Sequence, residues 1–199
     1  VTSASKTQAT SSKKTIEELE AEIARLKGQF IGGEIAQNEY IKIISLCPDG
    51  WHLNLSTKEN GQGKVFKFDK FGQVKKIMYS DLLDIMESHS NFVETGRFYI
   101  LDARVIHQAG LESVYEKILD KQKIEEIIAG KNDECVSIFA SANEHQQKLI
   151  LDILVEKLRD DPNSIDLNIV DKISRLSKVN VVERAEDERK LLQKEEAEE

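Results

Sequence analysis

The residue types in this chain that most readily hold metals or act as nucleophiles are four histidines, His52, His89, His107 and His145, and two cysteines, Cys47 and Cys135. Their spacing fits no metal centre, because there is no HExxH pair and neither cysteine belongs to a CxxC unit. On one continuous helix Cys135 and His145 would lie about 15 Å apart, too far for a thiol and its base. Cys47 and His52 flank a turn and can face one another, but a buried thiol and a half-buried imidazole account for both. No G-x-S-x-G, P-loop or dinucleotide fingerprint is present, and Gly61-Gln62-Gly63 lacks the helix that would receive a phosphate. The sequence therefore predicts no catalytic residue, no metal site and no cofactor: a non-enzymatic protein.

Binding chemistry is better represented. Lys64, Lys67, Lys70, Lys75 and Lys76 stand against Asp69 alone, with Phe66, Phe68 and Phe71 interleaved. Basic and aromatic residues alternating on strands suit a nucleic-acid backbone with bases stacked on the rings. Strand alternation, however, sets Phe66 and Phe68 on one face and Val65 and Lys67 on the other, so a phenylalanine pair belongs to the core. Lysines at a sheet edge also guard against aggregation. Asp81–His89 and Ala103–Ala109 have the size of helix-turn-helix elements, yet the first carries Asp81, Asp84 and Glu87 without a Lys or Arg to meet phosphates. Nucleic acid is the alternative partner.

The leading one is another helix. Ile16, Leu19, Ile23, Leu26 and Phe30 recur at steps of three and four, which places one apolar stripe along a helix. Thr15-Ile16-Glu17-Glu18 opens that helix with a capping box, and Gly28 and Gly32-Gly33 close it. With Ile16 at heptad position a, Glu22 falls at g and Lys27 at the following e, the positions that pair between parallel helices. The stripe predicts self-association or a partner helix. Packing on the chain's own sheet is the competing expectation.

These candidates sit in 199 residues, of which 40% are apolar and 32% charged, with a net charge of −8. That is enough apolar matter for a core, and the negative balance opposes contact with nucleic acid or anionic membrane except locally. No run approaches the length of a membrane span, and two separated cysteines in apolar surroundings fit a reducing cytosol. The expected location is the cytoplasm.

Residues 1–14 are rich in Ser, Thr and Lys and read as a tail, and residues 15–31 as the helical arm. Short runs rich in Ile, Val, Phe and Trp then predict strands. Tyr40–Leu46 and Trp51–Ser56 form a hairpin around Cys47-Pro48-Asp49-Gly50, and Lys64–Phe68 and Val74–Met78 a second around Asp69-Lys70-Phe71-Gly72. Ser80 caps a helix from Asp81 to His89, and Arg97–Asp102 is a fifth strand. Helices follow at Ala103–Ala109, Ser113–Leu119, Lys121–Ala129, Asp133–Arg159 and Asp166–Ser177, with Asn143–Lys148 as a solvent-facing joint in the long one. Val179–Val182 reads as extended, and Glu183–Glu199, with eight acidic and four basic residues, as a solvated helix or acidic tail. This is an α+β organisation: a core at 40–119, a helical region at 120–182, an arm before them and an acidic tail at 183–199.

The stretch Lys75-Lys76-Ile77-Met78-Tyr79-Ser80-Asp81-Leu82-Leu83-Asp84-Ile85, continued by Gly96-Arg97-Phe98-Tyr99-Ile100-Leu101-Asp102 and Gly110-Leu111, resembles uncharacterised proteins of phages and mobile elements of Gram-positive bacteria. The resemblance spans a third to a half of the chain and carries no named family. It implies a virion, assembly or host-takeover component, and with the arm it gives the expected function: an oligomeric structural or adaptor protein.

Overall fold

The computed structural model describes residues 33–58 and 63–198. The predicted tail 1–14 and the arm residues Ile16, Leu19, Glu22, Ile23, Leu26, Lys27 and Phe30 lie outside them. The described chain is α+β, with small antiparallel sheets packed against a helical C-terminal half.

The central strand is β1 (Tyr40–Ser45), in which Ile41, Ile43, Ile44 and Ser45 are all buried. Burial on both faces requires cover on both sides, and the pleat divides the strand accordingly. β1 pairs with β4 (Val74–Met78) and with β5 (Phe98–Ile100) in the order β4-β1-β5. β2 (Leu53–Ser56) and β3 (Val65–Phe68) pair with each other as a separate two-stranded sheet among the described residues, Leu53 opposite Phe68 and Leu55 opposite Phe66.

These pairings correct both expected hairpins. Cys47–Gly50 and Asp69–Gly72 are turns, but they lie side by side: Gly50 N–H donates to Asp69 O at 3.1 Å and Phe71 N–H to the Asp49 carboxylate at 2.7 Å. Together they let the β2–β3 ribbon leave the sheet and return, so that β1 meets β4 instead of β2. A turn sequence specifies a change of direction; which strand it returns to is decided by distant burial.

Helices α1 (Tyr79–Ser88), α2 (Ser90–Glu94), α3 (Ala103–Gln108) and α4 (Glu112–Tyr115) close the first core. It contains Ile41, Ile43, Leu53, Leu55, Phe68, Ile77, Leu82, Ile85, Phe98, Ile100 and Val105. Ser80 is not the cap of α1: the amides of Tyr79 and Ser80 donate to the carbonyls of Glu39 and Gln37, which satisfy the first turn from the backbone. The expected helix Ser113–Leu119 is the single turn of α4, after which Ile118 and Leu119 are buried as loop residues.

The second core is helical, built by α5 (Lys121–Ala129), α6 (Glu134–Ser141), α7 (Glu144–Asp160), α8 (Leu167–Ser177) and α9 (Val181–Glu198). Ile44 and Leu46 from the sheet side join it. Asp120, Asn143 and Asp166 cap α5, α7 and α8 through their side chains, and Gly130 ends α5 in the left-handed conformation at φ 53°. The expected helix 133–159 is two helices, because Ala142 is extended at ψ 150° and Asn143 starts afresh. The expected extended run 179–182 is also revised. Asn180 accepts from Glu183 N–H, and α9 begins at Val181.

α9 is more than a solvated tail. Val181 and Ala185 are buried, Arg184 pairs with Asp152 at 2.7 Å, and Arg189 donates to the carbonyls of Leu158 and Arg159. Those are orphan carbonyls at the C-terminal end of α7, so the guanidinium caps that helix. No helix among the described residues is long and apolar enough to cross a membrane.

Candidate functional site

The histidines are dispersed. His52 Nδ1 lies 2.9 Å from Asp69, His107 Nδ1 lies 2.5 Å from Glu112, and His145 is exposed in the first turn of α7. Among the described residues no group of three His, Cys, Asp or Glu side chains is placed to hold a metal ion. Cys135 on α6 donates its thiol to Glu126 O at 3.0 Å and does not share a helix with His145.

His89 has an unexpected partner in Ser56. The Ser56 amide donates to His89 Nε2 at 3.2 Å, and Ser56 Oγ lies 3.1 Å from the same nitrogen. The hydroxyl proton is directed to Lys58 O at 2.7 Å, and Ser56 is 3% exposed. With Nε2 already accepting an amide, this pair ties the end of β2 to the end of α1 and does not generate a nucleophile. A sequence separation of 33 positions hides it from sequence reasoning.

The lysines expected to act together belong to different sheets. Lys64 makes two contacts of 2.8 and 2.9 Å with the nearly buried Asp81, and Lys75 Nζ lies 5.4 Å from the Phe68 ring centroid. Lys67 is exposed opposite Asn54, Lys70 is exposed in a turn, and Lys76 stands opposite Lys42. Phe68 is fully buried, while Phe66 packs on the first core and Phe71 on the second. The rings that would stack on bases are thus occupied by the fold.

Two further surfaces among the described residues bear on binding. The outer face of the three-stranded sheet carries Tyr40, Lys42 and Ile44 on β1 and Val74, Lys76 and Met78 on β4, with Leu101 just past β5. Ile44 and neighbouring Tyr99 pack against the helical core at one end. Towards the other end Tyr40 is 63% and Leu101 52% exposed beside the exposed Lys42 and Lys76, and Val74, across from Ile44 at the outer edge, is 47% exposed.

The second surface is an open cleft of 250 Å³ lined by Cys47, Trp51, His52, Leu53, Asn54, Phe92 and Arg97. The turn at Cys47–Gly50 delivers Trp51 and His52, β2 supplies Leu53 and Asn54, α2 supplies Phe92, and the residue before β5 is Arg97. The Arg97 guanidinium lies 4.4 Å from the Phe92 ring centroid, within cation–π range. His89 stacks on the same ring at 5.1 Å. Cys47 donates its thiol to Arg97 O at 3.6 Å, and burial pushes its pKa up to about 11, so it remains a neutral thiol at pH 7.

The structure thus brings Cys47 and His52 to one cleft, as their turn implied, but the thiol is directed to Arg97 O and the imidazole Nδ1 to Asp69. Arg97, Trp51 and Phe92 carry no spacing signal, since they come from three elements, although the chain's only tryptophan beside a turn is itself a cue. Comparison with known proteins finds no match to any family model, any curated protein or any solved structure.

Proposed function

We propose that this protein is a non-enzymatic structural or adaptor component that assembles through the amphipathic segment Ile16–Phe30, with a second copy or a partner helix, in the cytoplasm or in a virion. The observation that carries the reading is the outer sheet face, where Tyr40, Val74 and Leu101 stay in water around Lys42 and Lys76. Apolar side chains grouped on one face with polar neighbours have the composition of a surface that a partner covers. The heptad stripe and the resemblance to phage and mobile-element proteins favour the same class of function.

Light scattering of the purified protein tests the assembly. The wild-type chain is expected to exceed its monomer mass, and Leu19→Glu with Leu26→Glu is expected to lower that mass while the far-UV signal of the core is kept. A monomeric wild type, or a mass unchanged by the double substitution, refutes assembly through this segment. Tyr40→Ser with Leu101→Ser asks whether the sheet face contributes, and is expected to weaken association without unfolding the chain.

A further inference from the structure

The half-buried Arg97 makes no ion pair and no side-chain hydrogen bond among the described residues; its contact is the Phe92 ring. A guanidinium cannot shed its proton to escape partial burial, and it carries five donors in a rigid plane. Contact with Phe92 anchors the group, and its N–H donors, without a hydrogen-bond partner among the described residues, are open to an acceptor. Phe92 is itself held by its stack with His89.

The rest of the cleft has the same preference. Trp51 is 46% exposed, and its indole N–H has no hydrogen-bond partner among the described residues. Asn54 already gives its amide to His52 O, Leu53 is apolar, and no acidic side chain among the described residues lines the space. At 250 Å³ the cleft falls below the range of about 300–1,000 Å³ typical of drug-sized ligands, so it suits a single ring or side chain.

We infer that this cleft binds a carboxylate carried on an aromatic or apolar group, with the carboxylate on the Arg97 fork and the apolar part against Trp51 and Phe92. A carboxylate matches the planar fork bidentately. A phosphate dianion, with twice the charge, meets greater opposition from a chain of net charge −8. The inference does not depend on the assembly proposed above.

Trp51 is the only tryptophan, so its fluorescence reports the cleft directly. The probes are benzoate, a free small acid, and N-acetylphenylalanine, the form of a peptide chain end, each paired with its neutral amide. Both acids are expected to change the emission saturably in the millimolar range, and the amides to bind at least about tenfold more weakly, the worth of a charge-assisted hydrogen bond. Tighter N-acetylphenylalanine supports the assignment with a chain end as the source, and tighter benzoate supports it with a free acid. Arg97→Gln is expected to remove the preference for acid over amide. Arg97→Lys, which keeps charge but loses the fork, should retain only part of it. Far-UV circular dichroism establishes that each variant is folded, and the acid–amide comparison on the wild-type chain needs no variant. Equal binding of acid and amide, no saturable response, or tighter binding of phenyl phosphate than of benzoate overturns the assignment.

Discussion

Gln146 is fully buried in the first turn of α7, and its amide is spent on a single backbone residue: Oε1 accepts from Leu119 N–H at 2.7 Å and Nε2 donates to Leu119 O at 2.8 Å. Leu119 lies just before α5, so this side chain does for a loop what a neighbouring strand would do in a sheet. Gln146→Leu keeps the volume roughly constant and removes both bonds. Each backbone group left buried without a partner costs about 1–3 kcal/mol, and the added apolar burial returns about 1–2 kcal/mol. The expected net loss is about 3 kcal/mol, or a fall in Tm of about 6–12 °C for a chain of this length. Urea unfolding followed by Trp51 fluorescence and by far-UV circular dichroism measures it, with His145→Leu at the adjacent exposed position as a control expected within about 0.5 kcal/mol of wild type. A Gln146→Leu protein within about 1 kcal/mol of wild type would show that the amide clamp is not what holds Leu119.

Lys64 and Lys67 should behave differently although both belonged to one expected binding cluster. Lys64→Glu puts a like charge beside Asp81, whose side chain is only 13% exposed, and should cost about 1–2 kcal/mol in chemical denaturation, while Lys67→Glu should stay within about 0.5 kcal/mol; equal effects would refute a structural role for the Lys64 pair. Cys47 sets a pH dependence with a definite sign. Its folded pKa is raised from 9.0 to about 11, so its contribution to stability is complete below pH 9 and is lost as pH rises through 11. Native-state alkylation of Cys47, read by peptide mass spectrometry, should accordingly be far slower at pH 8 than in the urea-unfolded chain, and comparable rates would refute its burial as a neutral thiol.

Local chemistry is the part of this fold legible in the sequence. Gly130 ends α5, and the turns at Cys47–Gly50 and Asp69–Gly72 fall where their residues place them, because each depends on atoms a few positions away. Strand pairing is not local. β1 and β4 meet across an excursion of 28 residues, from Leu46 to Gln73, and the choice of partner follows from which faces become buried. The break at Ala142 is hidden for another reason: apolar spacing runs on through both α6 and α7, and Gln146, which looks like solvent-facing polarity, turns inward to Leu119. The cleft illustrates the same limit. Trp51, Phe92 and Arg97 have no common period, so only the folded chain gathers them.

β1 serves as a party wall. Ile41 and Ile43 are surfaced by the first core, Ile44 and the adjoining Leu46 by the second, and residues 35–199 form one compact unit. Neither half can therefore open alone at low cost: peeling off the helices strips Ile44 and Leu46, each worth about 1.5–3 kcal/mol of burial, from a strand the sheets still need. The sheet and helical halves hold a mortgage on the same property, and damage on either side of the wall is felt in both rooms.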